Sequence, residues 1–264
     1  MTSASRILRA TLPVALGIAV LLAWEAAVRA YDIPRFVLPA PSAIWLALIG
    51  DFPSLMASLW TTLRITLLAF MLAVVSGVAL AVLFSQSRIV EMALYPYAVV
   101  LQVTPVVAIA PLIIIWVGFE RINMALLILA WLVAFFPILS NTTLGLRSAD
   151  HNLIDLFRLH GASHWQILRR LRLPSALPYL LNGMKTAGGL ALIGTVVAEY
   201  GAGSGTATGL AWRIIEAGNR LQIARMFAAL FLLALLGVTI FFALALLEYF
   251  VLRHWHDSAV AKDI

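Results

Sequence analysis

The sequence predicts an all-α integral membrane protein with six transmembrane helices, and three observations predict it. Hydrophobic residues make up 63% of the 264 and charged residues only 11%, against about 25% charge in an ordinary soluble domain; mean hydropathy is +1.00. Apolar runs of the ~20 residues needed to cross a bilayer core of ~30 Å lie at about 11–29, 60–84, 92–117, 124–146, 179–199 and 226–251. These runs are continuously apolar and lack the alternation of a membrane β-barrel. The absence of cysteine excludes disulfides and thiolate metal sites.

The first run follows Arg6 and Arg9 and ends near Val28-Arg29-Ala30, which loosely resembles a cleavage site. It exceeds the 7–15 apolar residues of a usual signal peptide and runs into Trp24, so it is expected to stay as a first span. Pro34, Pro39, Pro41 and Pro53 then interrupt the chain between Tyr31 and Pro53, a linker that continues neither flanking helix. The expected organisation is an accessory helix and outer linker over 1–57, a five-helix core over 58–251 and a tail over 252–264. The short connection Gly118–Asn123 makes the third and fourth spans antiparallel neighbours, and the glycine-rich Gly201–Thr206 is read as an outer loop. No internal repeat is evident, which counts against the inverted-repeat carriers.

Orientation follows from the short connections. Arg6, Arg9, Arg88, Arg147, Arg158, Arg169, Arg170, Arg172, Arg253 and Lys262 fall on one side, and the smaller set Arg29, Arg35, Arg121, Arg213, Arg220 and Arg225 on the other. The positive-inside rule places both termini and the basic connection after the fourth span in the cytoplasm.

That connection, 147–178, is the most informative stretch. Asp150 can cap a short helix carrying Leu153, Ile154 and Phe157 at helical spacing, and Gly161 closes it. Ser163 to Gln166 matches a capping box and opens a second short helix, apolar at Trp165, Ile167, Leu168 and Leu171, which Pro174 is expected to stop before Pro178 opens the fifth span. A helix-hinge-helix of this kind, too short and too charged to span, leaves apolar side chains in need of a partner surface. From periodicity alone, a basic loop touching anionic lipid is an equal reading.

Asp155, Gly161, then Leu171-Arg172-Leu173-Pro174 resembles the EAA loop of permease subunits of ATP-binding-cassette importers, patterned E-A-A, three residues, G, nine residues, I-x-L-P. Gly161-Ala162-Ser163, Leu173 to Pro178, Asn182-Gly183 and Ala198-Glu199-Tyr200 are similar to the branch for nitrate, sulfonate and taurine, and for pyrimidine thiamine precursors and riboflavin. The resemblance runs from about Ser58 to Tyr249. It departs where E-A-A is Asp155-Leu156-Phe157, with both alanines replaced by large apolar residues.

The resemblance implies a type I importer permease in a bacterial inner membrane. It implies ATPase-coupling residues at Asp155, Phe157, Gly161, Ala162, Ser163, Leu171, Leu173 and Pro174. Its partners would be a cytoplasmic ATP-binding subunit dimer, a periplasmic or lipid-anchored solute-binding protein and a second copy of the permease. No G-x-x-x-x-G-K-[ST] occurs, so ATP would be used by the partner ATPase, and this chain is expected to hold no cofactor and no catalytic site of its own.

Gln102, Thr104, Asn182, Lys185, Thr195 and Glu199 are the candidate path residues, being polar or ionisable within or near the third and fifth spans. Glu25, Arg64 and Glu248 sit near span ends and are read as snorkelling. His160 and His164 are separated by the helix-breaking Gly161 and are read as solvated loop residues, as are His254 and His256; no metal site is expected. Lys185 as a cation inside a span favours a sulfonate-type anion. The alternative solute is a planar heterocycle meeting Trp116, Trp131, Phe135 and Phe136. Two other classes fit poorly: an intramembrane protease needs a His or Asp within the spans, and an ion-coupled carrier needs a chain of intramembrane carboxylates.

Overall fold

A computed structural model describes residues 3–202 and 208–253, with side chains from residue 11 onward. Helices occupy nearly all of this, and the described residues contain no strand: α1 Ser3–Ala30, α2 Pro41–Gly50, α3 Phe52–Gln86, α4 Arg88–Val103, α5 Val106–Val117, α6 Ile122–Arg147, α7 His151–Leu159, α8 His164–Ile167, α9 Leu173–Ala202, α10 Leu210–Asn219 and α11 Ile223–Leu252. Five helical segments are long and apolar enough to cross a membrane, or six if α4 and α5 count as one broken span. The side chains of Arg6 and Arg9, the loop residues Gly203 to Thr206, and His254, His256 and Lys262 lie outside the described residues.

The core is the triple packing of α3, α6 and α9, where Phe70, Ala73, Ala134, Ile138, Leu139 and Ala187 are buried together. Small residues let α6 and α9 approach backbone to backbone. A Cβ on Gly183 would stand 2.9 Å from Asn141 Cβ and 3.0 Å from Pro137 O, and one on Gly194 would stand 2.9 Å from Ala130 Cα. The first helix is peripheral, with most of its side chains exposed. Its attachments include the Trp24–Phe227 ring contact at 5.9 Å and Glu25, which accepts from Ser42 N at 3.0 Å and Ser42 Oγ at 2.8 Å.

Four features depart from the sequence reading. The third span is not straight: α4 and α5 meet at 102°, because Thr104 and Pro105 are extended, with φ/ψ of −69°/124° and −65°/108°. Proline disfavours the helical region for the residue before it. The proline-rich outer linker holds a helix, α2, since Pro41 sits at its first position, where the missing N–H costs nothing. A further short helix, α10, follows the glycine-rich loop.

The fourth departure concerns Pro174, which does not end the second loop helix. α8, a π-helical segment at Leu168–Arg172 and α9 run on as one helix from His164 to Ala202, 39 residues. The wider π turn, closed by Leu173 N donating to Leu168 O, relieves the clash a proline ring makes with the preceding turn. At 1.5 Å per residue this rod is about 58 Å long, so it extends well past a bilayer core of about 30 Å.

Candidate functional site

The loop between α6 and α9 builds a small core of its own from buried Ala149, Ile154 and Ile167, with Phe157, Ala162 and Leu171 packed against it. Asp150 caps α7 by accepting from Asn152 N at 2.8 Å. Gly161, at φ +72°, terminates it: Ala162 N donates to Phe157 O at 3.0 Å and Gly161 N to Arg158 O at 2.9 Å, the paired bonds of a Schellman stop. Both halves of the capping box form, Ser163 N to Gln166 Oε1 at 2.7 Å and Gln166 N to Ser163 Oγ at 3.3 Å. The hinge is therefore set by hydrogen bonds.

This scaffold sorts the loop residues into two sets. Phe157, Ala162 and Leu171 face the loop's interior. Leu153, Leu156, Leu159 and Trp165 are 44%, 47%, 85% and 63% exposed, an apolar surface on a charged loop. Asp155 lies on the outer side, its carboxylate 3.3 Å from Arg158. A groove of about 360 Å³ at the hinge is lined by Leu156, Phe157, Gly161, Ala162, Gln166 and Arg170, among others. The departure at Asp155-Leu156-Phe157 thus has two physical outcomes: Phe157 fills the loop core, and Leu156 adds to the exposed face. Leu173 and Pro174 are the first residues of α9, and Ser175 Oγ donates to Leu171 O at 2.9 Å across that junction. His160 and His164 are exposed, and no group of three metal-ligating side chains occurs among the described residues.

The candidate path residues fall into three places. Gln102 is exposed beside the α4–α5 bend, where a cavity of about 230 Å³ is also lined by Val106, Val133, Pro137 and Leu190. Thr104, half-buried in the bend, donates to Val100 O at 2.7 Å. Asn182 is exposed on α9 and donates to Asn141 Oδ1 at 3.4 Å, while Asn141 donates to Pro137 O at 2.9 Å. These amides link the cavity wall to an exposed stripe of α9 formed by Asn182, Thr186, Gly189 and Ile193.

Lys185 is elsewhere. Its Nζ is 2.6 Å from Glu248 Oε2 on α11, so the cation is paired, and Glu248 is one half of an ion pair instead of a snorkelling end residue.

Thr195 and Glu199 are fully buried. Glu199 accepts from Thr62 Oγ1 at 2.8 Å and from Ala211 N at 2.9 Å, Thr62 Oγ1 accepts from Leu210 N at 2.9 Å, and Thr66 Oγ1 donates to Thr195 Oγ1 at 3.1 Å. The carboxylate caps the amino end of α10, and Gly209 leaves no room there for a side chain. Neither residue reaches an open surface. Sequence reasoning missed α10 and its cap; the stripe Leu210, Ala211, Ile214 and Ala217, opposite Arg213, Glu216 and Arg220, was the available signal.

Of the aromatic residues, Trp116 is exposed, while Trp131 meets Phe135 in a tilted ring contact at 5.4 Å and donates to Ser76 Oγ at 3.0 Å. Phe136 lies 6.3 Å from Tyr95. The last three are packing contacts.

The family profile described as "Binding-protein-dependent transport system inner membrane component" matches residues 73–253, which takes in the bend, the loop and α9. The chain belongs to this family of ABC importer permeases. Among curated permeases it is 37% identical to the riboflavin transport system permease protein RibX of Chloroflexus aurantiacus, over 94% of this chain and 90% of the relative. It is 34% identical to the formylaminopyrimidine transport permease protein ThiX of Halalkalibacterium halodurans, over 87% and 90%. To the putative aliphatic sulfonates permease SsuC of Bacillus subtilis it is 33% identical, over 84% and 79%.

Solved importers share the fold. The inward-facing MetNI methionine ABC transporter aligns with TM-score 0.65 at 21% identity, over 75% of this permease and 96% of that chain. An amino acid ABC transporter aligns with TM-score 0.64 at 18% identity, over 77% and 96%. Like these permeases, this one is a multi-pass membrane protein.

Proposed function

We propose that this permease moves a small organic solute into the cytoplasm of a bacterial cell, driven by a separate ATPase dimer that seats on the exposed face of α7 and the hinge. The observation that carries this reading is the unbroken helix from His164 to Ala202. Its first turns form half of the loop, and its middle carries the exposed Asn182 stripe. A displacement imposed on Trp165, in the first turn of this helix, therefore reaches Asn182 as a rigid-body movement, without a flexible joint to absorb it. The coupling set is Asp155, Phe157, Gly161, Ala162, Ser163, Leu171, Leu173 and Pro174. Asp155 contacts the ATPase directly, while Phe157, Ala162 and Leu171 hold the shape of the seat.

The path runs along the α4–α5 bend and the Asn182 stripe, completed by a second copy of the permease, since the stripe is open on a single chain. Both termini and the loop are cytoplasmic, and a solute-binding protein docks on the opposite face. Gln102, Thr104, Asn141, Asn182 and Thr186 give that surface uncharged hydrogen-bonding groups, and Lys185 is neutralised by Glu248. A heterocycle with hydrogen-bonding edges, as in the riboflavin and pyrimidine relatives, fits this surface better than a sulfonate anion. Weak polar contacts also allow release.

The test is uptake into vesicles holding the permease, its ATPase and its binding protein. ATP-dependent uptake of a riboflavin or pyrimidine solute, with no competition from alkanesulfonates, is the expected result. Sulfonate uptake abolished in Lys185→Gln would overturn the solute class. Uptake that persists without the ATPase would overturn the importer reading.

A further inference from the structure

A further cavity, of about 710 Å³, belongs neither to the hinge groove nor to the α4–α5 bend. It lies where the end of α3, the first turn of α4, the end of α6 and the first turn of α7 come together beside the π-helical segment. Three guanidiniums line it, on Arg88, Arg147 and Arg172, against one carboxylate, Glu91. Arg147 and Glu91 are paired with each other. Arg88 has no carboxylate within ion-pair distance among the described residues. Arg172 donates Nη1 to the neutral Ser85 carbonyl at 3.1 Å, while its Nε is buried without a hydrogen-bond partner. Two cations without a carboxylate partner thus face one cavity: Arg88 is exposed at its rim, while Arg172 is half-buried, and its unpartnered Nε is the group an anion would satisfy.

Ser85, Gln86 and His151 add neutral polar groups, and Phe84, Met92, Tyr95, Pro96, Leu146 and Ile154 form an apolar wall. Met92 is itself 61% exposed and continues into the outward apolar face of α4 with Ile89 and Tyr97. Guanidinium forks match the oxygens of a phosphate, and the apolar wall suits hydrocarbon, which a soluble phosphate does not carry. We propose that this cavity is a binding site for an anionic phospholipid, its headgroup phosphate held between Arg88 and Arg172 and its chains laid along α4. Arg172 belongs to the long helix and Ile154 to α7, so the bound lipid ties the loop to the α3–α4 corner. That placement at the inner leaflet uses the orientation proposed above; the binding itself does not depend on the transport reading.

Native mass spectrometry of the purified full chain tests it, with phosphatidylglycerol titrated against phosphatidylcholine. One phosphatidylglycerol per chain is expected to survive delipidation, with binding weakened about tenfold by either Arg88→Gln or Arg172→Gln, the loss of roughly one charge-assisted contact. Arg169→Gln, which removes a cation of the same loop outside the cavity, is expected to bind as wild type. Arg88 is exposed, so its variant reports even if Arg172→Gln folds poorly. Equal retention of the two lipids, unchanged affinity in Arg88→Gln, or equal weakening by Arg169→Gln would overturn the site. Displacement by millimolar glycerol phosphate would show a soluble phosphate as ligand and overturn the lipid assignment.

Discussion

Thr62 holds Glu199 from one side while serving the helix that Glu199 caps: its hydroxyl donates to Glu199 Oε1 at 2.8 Å and accepts from Leu210 N at 2.9 Å. One hydroxyl thereby joins α3, α9 and α10. Replacing it by the isosteric valine leaves both a buried carboxylate oxygen and a buried amide short of a partner, at about 1–3 kcal/mol for each unsatisfied group. Thr62→Val is expected to lower the thermal melting of the detergent-solubilised permease and to make the segment near Leu210 cleavable by protease. Wild-type melting with wild-type protection would refute the lock. Thr66→Val, which loses the hydroxyl contact to Thr195, should cost less.

Lys185 and Glu248 form an ion pair between α9 and α11, each side chain about four-fifths covered. Removing one partner strands the other charge in an apolar setting, whereas removing both replaces the pair by packing. Lys185→Met and Glu248→Met should each destabilise the permease by about 3 kcal/mol or more, and the double variant should regain most of the loss. Additive losses in a double-mutant cycle would show that the two residues act independently.

At the hinge, stability and docking separate. Leu156 is exposed and outside the loop core, while Ile154, two residues earlier, is buried within it. Leu156→Asp is expected to abolish co-purification with the ATPase at unchanged melting temperature, and Ile154→Asp to lower the melting temperature as well. Retention of the ATPase by Leu156→Asp would remove this face from the interface.

The long helices were legible because length and apolarity alone identify a span; α3, α6, α9 and α11 needed nothing else. Which proline would break a span was not legible. Pro96, Pro111 and Pro137 sit inside intact helices, and only Pro105 accompanies a sharp bend, because the outcome depends on whether neighbouring helices satisfy the freed carbonyls. Pro174 misled for the same reason, its clash absorbed by a π turn that no residue pattern announces. In the loop, the caps at Asp150, Gly161 and Ser163 could be read directly, since each depends on local chemistry: two short polar side chains that bond nearby amides, and one glycine that tolerates a positive φ. Lys185 could not be placed, because its partner lies 63 residues away on another helix.

The end of α10 carries strain that a substitution can relieve. Gln222 N donates to Ala217 O at 2.8 Å and Leu221 N to Gly218 O at 3.0 Å, the same paired stop that closes α7, yet the residue at the left-handed position is Leu221, at φ +55°. A side chain with a Cβ pays about 1–2 kcal/mol there, which Gly161 avoids at the equivalent place. Leu221 is 74% exposed, so its removal forfeits little packing, and part of the gain is returned because glycine loosens the unfolded chain. Leu221→Gly should therefore stabilise the permease by somewhat under about 1 kcal/mol, and Gly161→Leu should destabilise it by a similar or larger amount, both read from thermal melts in the same detergent. A lower melting temperature for Leu221→Gly would show that the contacts of this side chain outweigh the strain of its left-handed backbone, and would refute the prediction.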